Sequence, residues 1–238
     1  MIDTVSRKDY NAIVDTVSTE RREKSIMFKG TPETVAQRRE EIVGACEQLY
    51  QTMSFKDITL KEISNVTSFS RPTIYNYFHT KEEIFLALFE REYDSWNADL
   101  EKILNSDQEY TEQQLADLIA KSLERRAQLL KLLSMNNFDM EDNSREELLA
   151  SFKRAYGHSL QLFREILGKH CSGMNEAETE QVIYIFFPFM FGIYPYAEVT
   201  AKQKEAMTQA EVDYKYQSIY EITYNCLIRL LSSSLADR

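Results

Sequence analysis

Three helix starts follow one another between Thr59 and Glu83, and that succession constrains the fold more than any other feature of the chain. Thr59 is followed by Glu62 and Thr80 by Glu83, each a Ser/Thr-x-x-Glu box in which the hydroxyl and the carboxylate satisfy backbone donors at a helix start. Between them Ser70 can cap a third helix, with Pro72 in its first turn, where a missing N–H costs little. The spacing predicts helices over 59–66 and 70–78, a turn at 67–69 and a new helix from 81. Two short helices joined by such a turn form a helix-turn-helix, whose second helix can enter a DNA major groove.

The remainder reads as an all-α fold. Six glycines and four prolines are few for 238 residues, and Glu, Gln, Leu, Lys and Ala abound. A helix over about 32–52 stacks Ile42, Cys46, Leu49 and Met53 on one stripe. Another runs from Lys81 to about Leu104, with Ile84, Phe85, Leu88, Tyr93, Trp96, Leu100 and Ile103 on its apolar face, and is long enough to join two domains. Further helices are expected over 111–133, opened by Thr111 and Gln114, and from Ser144 with Glu147 to about Gly168. Asn175 caps one that should break at Gly192 or just before Pro195; a short helix near 201–211 and a last one over 214–234 complete the set. The domain reading is an N-terminal extension over 1–30, a helix-turn-helix domain over 31–80 and a helical body over 81–238. The extension carries the basic run Arg21, Arg22 and Lys24, with Lys29 further on, which suits either a phosphate-tracking arm or a mobile tail.

Charge is segregated. The chain carries a net −10, yet residues 54–81 sum to +2 and everything else to −12. Such a distribution lets one small surface meet phosphate while the body is repelled by it. No run of apolar residues is long enough for a membrane span, and the start, MIDTVSRKDYN, lacks the apolar stretch of a signal peptide. With three widely spaced cysteines, Cys46, Cys171 and Cys226, a reducing cytoplasm is the expected setting and Cys46 reads as a small core residue.

If Ile74 and Phe78 pack inward, the other side of helix 70–78 presents Arg71, Thr73, Tyr75, Asn76, Tyr77 and His79. Arg can make bidentate bonds to guanine, Asn can do so to adenine, and Thr or a Tyr ring edge can touch a thymine methyl. Thr59 and Ser70, at helix N-termini, can offer phosphate both hydroxyls and backbone N–H groups.

The segment resembles the DNA-binding part of the tetracycline-repressor family of bacterial transcription regulators. The resemblance rests on Phe55, Ile58, Thr59, Ile63, Ser70, Thr73, Ile74, Tyr75, Tyr77, Phe78, Lys81, Glu82, Glu83 and Ile84, above all the run T-I-Y-N-Y-F-x-x-K-E-E-I. The chain departs from the pattern at Thr67-Ser68-Phe69, where the family usually has Gly-Val after small residues, and at Pro72, where it often has Gly. If Ser68 must take a glycine-like conformation, strain follows wherever φ is positive. The resemblance implies that Tyr75, Tyr77 and Lys81 hold phosphates while Arg71, Thr73 and Asn76 lie nearer base edges.

The resemblance further implies a ligand-responsive regulator, most simply a repressor, bound as a homodimer to a palindromic operator in double-stranded DNA and released by an unidentified small-molecule effector, with no cofactor and no membrane. A pocket among the middle helices would draw on Met135, Phe138, Tyr156, Phe163, Phe186, Phe189, Met190 and Tyr194, whose polarizable walls suit an apolar or planar ligand. The dimer would pack helices 214–234 and 176–192 of two subunits through Val182, Ile219, Tyr220, Thr223, Leu227 and Leu230. Ligand binding would tilt the helix that carries Trp96 and so move helix 70–78.

Two other functional classes compete with this reading. An enzyme finds little support: His79, His158 and His170 lie far apart, His170-Cys171 has no partner at metal-ligand spacing, and phosphate-loop, dinucleotide and nucleophile-elbow motifs are missing. A helical interaction protein that has kept the fold and lost DNA binding is the alternative.

Overall fold

A computed structural model describes the backbone of residues 31–135 and 137–236, without the side chains of 137–139 and 233–236, so the N-terminal extension and the Phe138 ring lie outside the described residues. Eleven helices and no strand occur among them: α1 (Pro32–Thr52), α2 (Leu60–Asn65), α3 (Arg71–Ile74), α4 (Lys81–Leu104), α5 (Glu112–Glu124), α6 (Ala127–Leu133), α7 (Asn137–Asp142), α8 (Glu146–His170), α9 (Glu176–Ala197), α10 (Ala201–Gln209) and α11 (Ile219–Ala236). The chain divides into two compact units, residues 1–42 and 43–238. In the first, Thr31 opens α1, its hydroxyl accepting from the N–H of Thr34 at 3.3 Å.

The second unit is built around α4. Thr80 accepts from the Glu83 N–H at 3.1 Å, and twenty-four residues then run unbroken to the cap at Asn105. One side of α4 lies along α8, while α5 packs on α11, and α9 packs on α6, α8 and α11. Aromatic rings fill the space between. Phe89, Tyr93 and Trp96 are fully buried, Phe152 sits against Phe89 at 4.8 Å between centroids, and Phe163 stacks on Phe186 at 5.2 Å. Such pairs hold each other by area and by edge-to-face or offset geometry. The Trp96 indole N–H donates to the Ser122 hydroxyl at 3.0 Å, pinning α4 to α5.

Several boundaries differ from the sequence expectation. The helix expected over 111–133 breaks after Glu124, because Arg126 turns its guanidinium onto the buried Asp99 of α4, with Nη2 at 2.7 Å. Burial pushes the Asp99 carboxyl up, but hydrogen bonds from Lys102 and Arg126 outweigh it and hold the group below its ordinary value. Ser144 does not cap α8: Arg145 takes the N-cap position, and the Ser144 hydroxyl donates to the Met140 carbonyl at 2.7 Å. Neither Gly192 nor Pro195 ends α9, which continues to Ala197 with Pro188 and Pro195 inside it. Its inner face, with Phe186, Phe187, Met190 and Ile193, keeps the helix docked, and the prolines fall on the exposed side. The last helix starts at Ile219 rather than 214, after a reciprocal pair in which Ser218 N–H donates to Glu221 and Glu221 N–H donates to the Ser218 hydroxyl. Ser68 needs no glycine-like backbone; Glu211, with φ 54°, is the non-glycine residue at positive φ among the described residues.

Candidate nucleic-acid interface and adjoining cavities

The α2–turn–α3 segment is short and depends on its surroundings. Thr59 accepts from the N–H groups of Lys61 and Glu62 at 3.2 and 3.5 Å, leaving the Glu62 carboxylate paired with the Thr59 hydroxyl rather than with a backbone donor. Ser70 stands at the N-cap of α3 without a side-chain cap bond; its hydroxyl meets Thr73 Oγ1 at 2.9 Å. After Ile74 the chain continues as turns, so the expected helix 70–78 is one helical turn plus a wound extension. Ile74 and Phe78 are fully buried, as the pattern required.

The outward side carries Arg71, Pro72, Tyr75, Asn76 and His79, all exposed, with Thr73 half-buried. Arg71 Nη2 donates to the Tyr75 hydroxyl at 3.0 Å, and its guanidinium lies 5.6 Å from the Tyr75 ring centroid, so the two side chains hold each other along one edge. Thr59 and Ser70 are exposed at the two N-termini. Two expected DNA residues sit differently. Tyr77 is 4% exposed and offers almost no surface; its ring leans toward Phe69. Lys81 is half-buried, donating to the Phe55 carbonyl at 2.7 Å with its ammonium 4.2 Å from that ring's centroid.

A feature invisible in the sequence anchors this segment. Glu83, 1% exposed, does not complete its own capping box but accepts from the His79 N–H at 2.6 Å and from the Arg145 guanidinium at 2.7 and 3.0 Å. Arg145 also donates to the Tyr77 carbonyl at 3.1 Å, and the Thr80 hydroxyl donates to the Asn143 carbonyl at 3.0 Å. The stretch that follows α3, residues 77–80, is thus tied to the turn between α7 and α8. Burial would raise the Glu83 carboxyl, but the bonds from Arg145 and His79 hold it below the usual carboxylate range.

The residues expected to line a ligand pocket do not gather in one place. Phe163, Phe186 and Met190 are fully buried, and Tyr156 is half-buried with its edge toward Tyr93 and Phe187. Phe189 borders a cavity of about 410 Å3 between α9, α11 and residues 214–217. Met135 borders another, of about 620 Å3, with Tyr50, Met53, Phe55 and Met140; Tyr194 is half-buried. Of the expected dimer residues, Val182, Ile219, Thr223 and Leu227 are buried within their own chain, and Tyr220 donates to Asp117 on α5 at 2.8 Å. Leu230 is half-buried. The exposed apolar residues of α9 lie one face over: Tyr184 is 77% exposed, with Ile185, Pro188 and Phe191 beside it at helical spacing.

Residues 90–215, more than half of the chain, match the family model described as tetracyclin repressor-like, C-terminal domain. The chain belongs to the tetracycline-repressor-like family. Solved structures share the fold, TetR-family regulators among them. A regulator of the TetR/AcrR family from Thermobifida fusca is 13% identical, with a TM-score of 0.54 over 82% of this chain and 97% of that one. A TetR-family regulator from Marinobacter aquaeolei is 14% identical, TM-score 0.55, over 81% and 98%. The fatty acid degradation regulator FadR from Bacillus halodurans is 16% identical, TM-score 0.54, over 85% and 96%. No curated protein matches the sequence. The family model spans residues 90–215 of this TetR-like chain, whereas the α2–α3 segment lies outside it and stands on its own geometry.

Proposed function

We propose that this TetR-like protein is a transcription regulator that reads DNA with α3, as a homodimer on a two-fold operator, and that a small-molecule effector releases it, so that it acts as a repressor in the cytoplasm. The functional division is a reading head over residues 31–80 and an effector-binding and dimerising body over 81–238. The observation that carries the reading is the exposed edge Arg71–Tyr75–Asn76, presented by a helix whose inner side is buried and whose end is pinned by Arg145. A guanidinium held by Tyr75 and an exposed carboxamide match the donor and acceptor pattern of base edges, while Ser70, Thr59 and His79 flank them toward the backbone. Half-buried Lys81 and buried Tyr77 serve as supports of that edge. A single head spans few base pairs, so two are required for useful specificity, and the exposed stripe Tyr184, Ile185, Pro188 and Phe191 on α9 supports a self-complementary contact.

Selection of bound duplexes from a random pool tests this reading. The expected result is an enriched palindrome-like site whose affinity falls about 10- to 100-fold in Arg71→Ala, equivalent to about 1–3 kcal/mol. A pool that stays random, with a chain that remains folded, would leave a helical interaction protein as the better description.

A further inference from the structure

The cavity of about 620 Å3 lies within residues 43–238, between the end of α1, residues 53–56, α6 and α7, beside the helix-turn-helix segment. Its volume falls in the range of small-molecule sites. The walls are soft and apolar, from Tyr50, Met53, Phe55, Met135 and Met140, with the Tyr50 hydroxyl donating to Met135 Sδ at 3.0 Å. Methionine walls adapt to flexible hydrocarbon better than branched side chains do. Two lysines, Lys56 and Lys131, and no carboxylate stand among the described lining residues. Lys131 is half-buried; it donates to the Tyr50 carbonyl at 2.6 Å and rests 3.9 Å from the centroid of that ring. An ammonium has three N–H donors, so two remain, and Lys131 has no ion-pair partner among the described residues. Burial in the cavity wall lowers its pKa, because the ammonium has lost part of its water.

We propose that this cavity binds an apolar molecule with a single anionic head, a hydrocarbon body among the methionines and aromatics and a carboxylate-like group on Lys131, with Lys56 at the rim. A cation would meet two like charges, and a polyanion would find one inner ammonium and an apolar lining, so a monoanionic amphiphile fits best. The site is also placed to act on α3. Met140 lines the cavity and accepts from Ser144, Asn143 accepts from Thr80, and Arg145 holds Glu83 and the Tyr77 carbonyl. A ligand that displaces Met140 therefore moves the turn that pins the end of α3. This consequence rests on the regulator reading; the binding itself does not.

Calorimetric titration of the full-length protein with sodium decanoate and with decanol tests the site. Decanoate should bind, Lys131→Gln should weaken it about tenfold or more, and Lys131→Arg should keep most of the affinity, as expected for a charge-assisted hydrogen bond. Decanol should bind wild type and Lys131→Gln alike, and Met53→Trp, which fills the cavity, should abolish both. No decanoate binding, equal binding to Lys131→Gln, or indifference to Met53→Trp would overturn the proposal. Anisotropy on a selected duplex then separates the two readings. Decanoate should weaken DNA binding by wild type but not by Lys131→Gln; an unchanged duplex affinity would overturn the coupling. If decanoate binds through Lys131 and no duplex is ever selected, the cavity stands and the regulator reading falls. If a duplex is selected through Arg71 and decanoate does not bind, the reverse holds.

Discussion

The α2–α3 segment and the α4–α8–α9 body solve opposite problems. α3 has four residues and buries one of them, Ile74, whereas α4 has twenty-four and buries thirteen. In the body, aromatic side chains turn inward and stack on one another; in the segment, Arg71, Tyr75 and Asn76 turn outward, and the Arg71 guanidinium bonds the Tyr75 hydroxyl. A helix of one turn cannot sustain itself in water, so its position must be imposed by neighbours. Here the imposition comes from buried Ile74 and Phe78 and from the Glu83–Arg145 pair. Stability and recognition are therefore carried by different residues, and single substitutions should separate them.

The largest effect should come from the body. Phe163→Ala removes a fully buried ring stacked on Phe186 and should cost about 3–5 kcal/mol in urea unfolding. A loss near that of an exposed residue would break the contrast. Arg145→Ala comes next, at about 2–4 kcal/mol, because it leaves Glu83 buried without its main partner, while the partly exposed guanidinium moderates the loss. Its pH signature follows from the depressed Glu83 carboxyl. The pair's contribution is complete above the unfolded carboxylate pKa, about 4.3, and is lost as pH falls through the lower folded value. Wild type minus Glu83→Gln should therefore shrink below about pH 4 in unfolding titrations. Arg71→Ala should leave stability within about 0.5 kcal/mol while weakening a selected duplex as described above. If it unfolds the chain instead, the outer edge is structural. The smallest effect is a gain. Gly157 lies inside α8 with open space where a Cβ would stand, so Gly157→Ala should stabilise by about 0.5–1 kcal/mol, readable in the urea midpoint.

Legibility in the sequence followed the range of the interactions. Most helix starts encoded within four residues were readable: Thr111 with Gln114 and Asn175 with Glu178 form reciprocal boxes, and α4 begins and ends at the expected residues, whereas Ser144 with Glu147 gives way to Arg145. The same rule applied to Ser218 and Glu221 would have placed the start of α11 correctly. What escaped was decided by distant partners. Glu83 carries the local signature of a capping residue, yet a guanidinium 62 positions away claims it. Tyr77 has the look of a surface aromatic, yet it is buried with its ring toward Phe69 and its carbonyl accepting from Arg145. Lys131 gave no signal, because the cavity it lines joins residues some eighty positions apart. Gly192 and Pro195 read as breakers, but burial of Met190 and Ile193 on the other side outweighs one missing bond per proline.

Those prolines have a further effect. Lacking an amide hydrogen, Pro188 leaves the carbonyl of Tyr184 without its helical donor, and Pro195 does the same to Phe191. Both uncovered oxygens belong to residues whose side chains already stand in solvent. The oily ridge of α9 is thus punctuated by two acceptors, and whatever lies against it must bring donors or trapped water to those two spots. Greasiness alone will not make a good fit there.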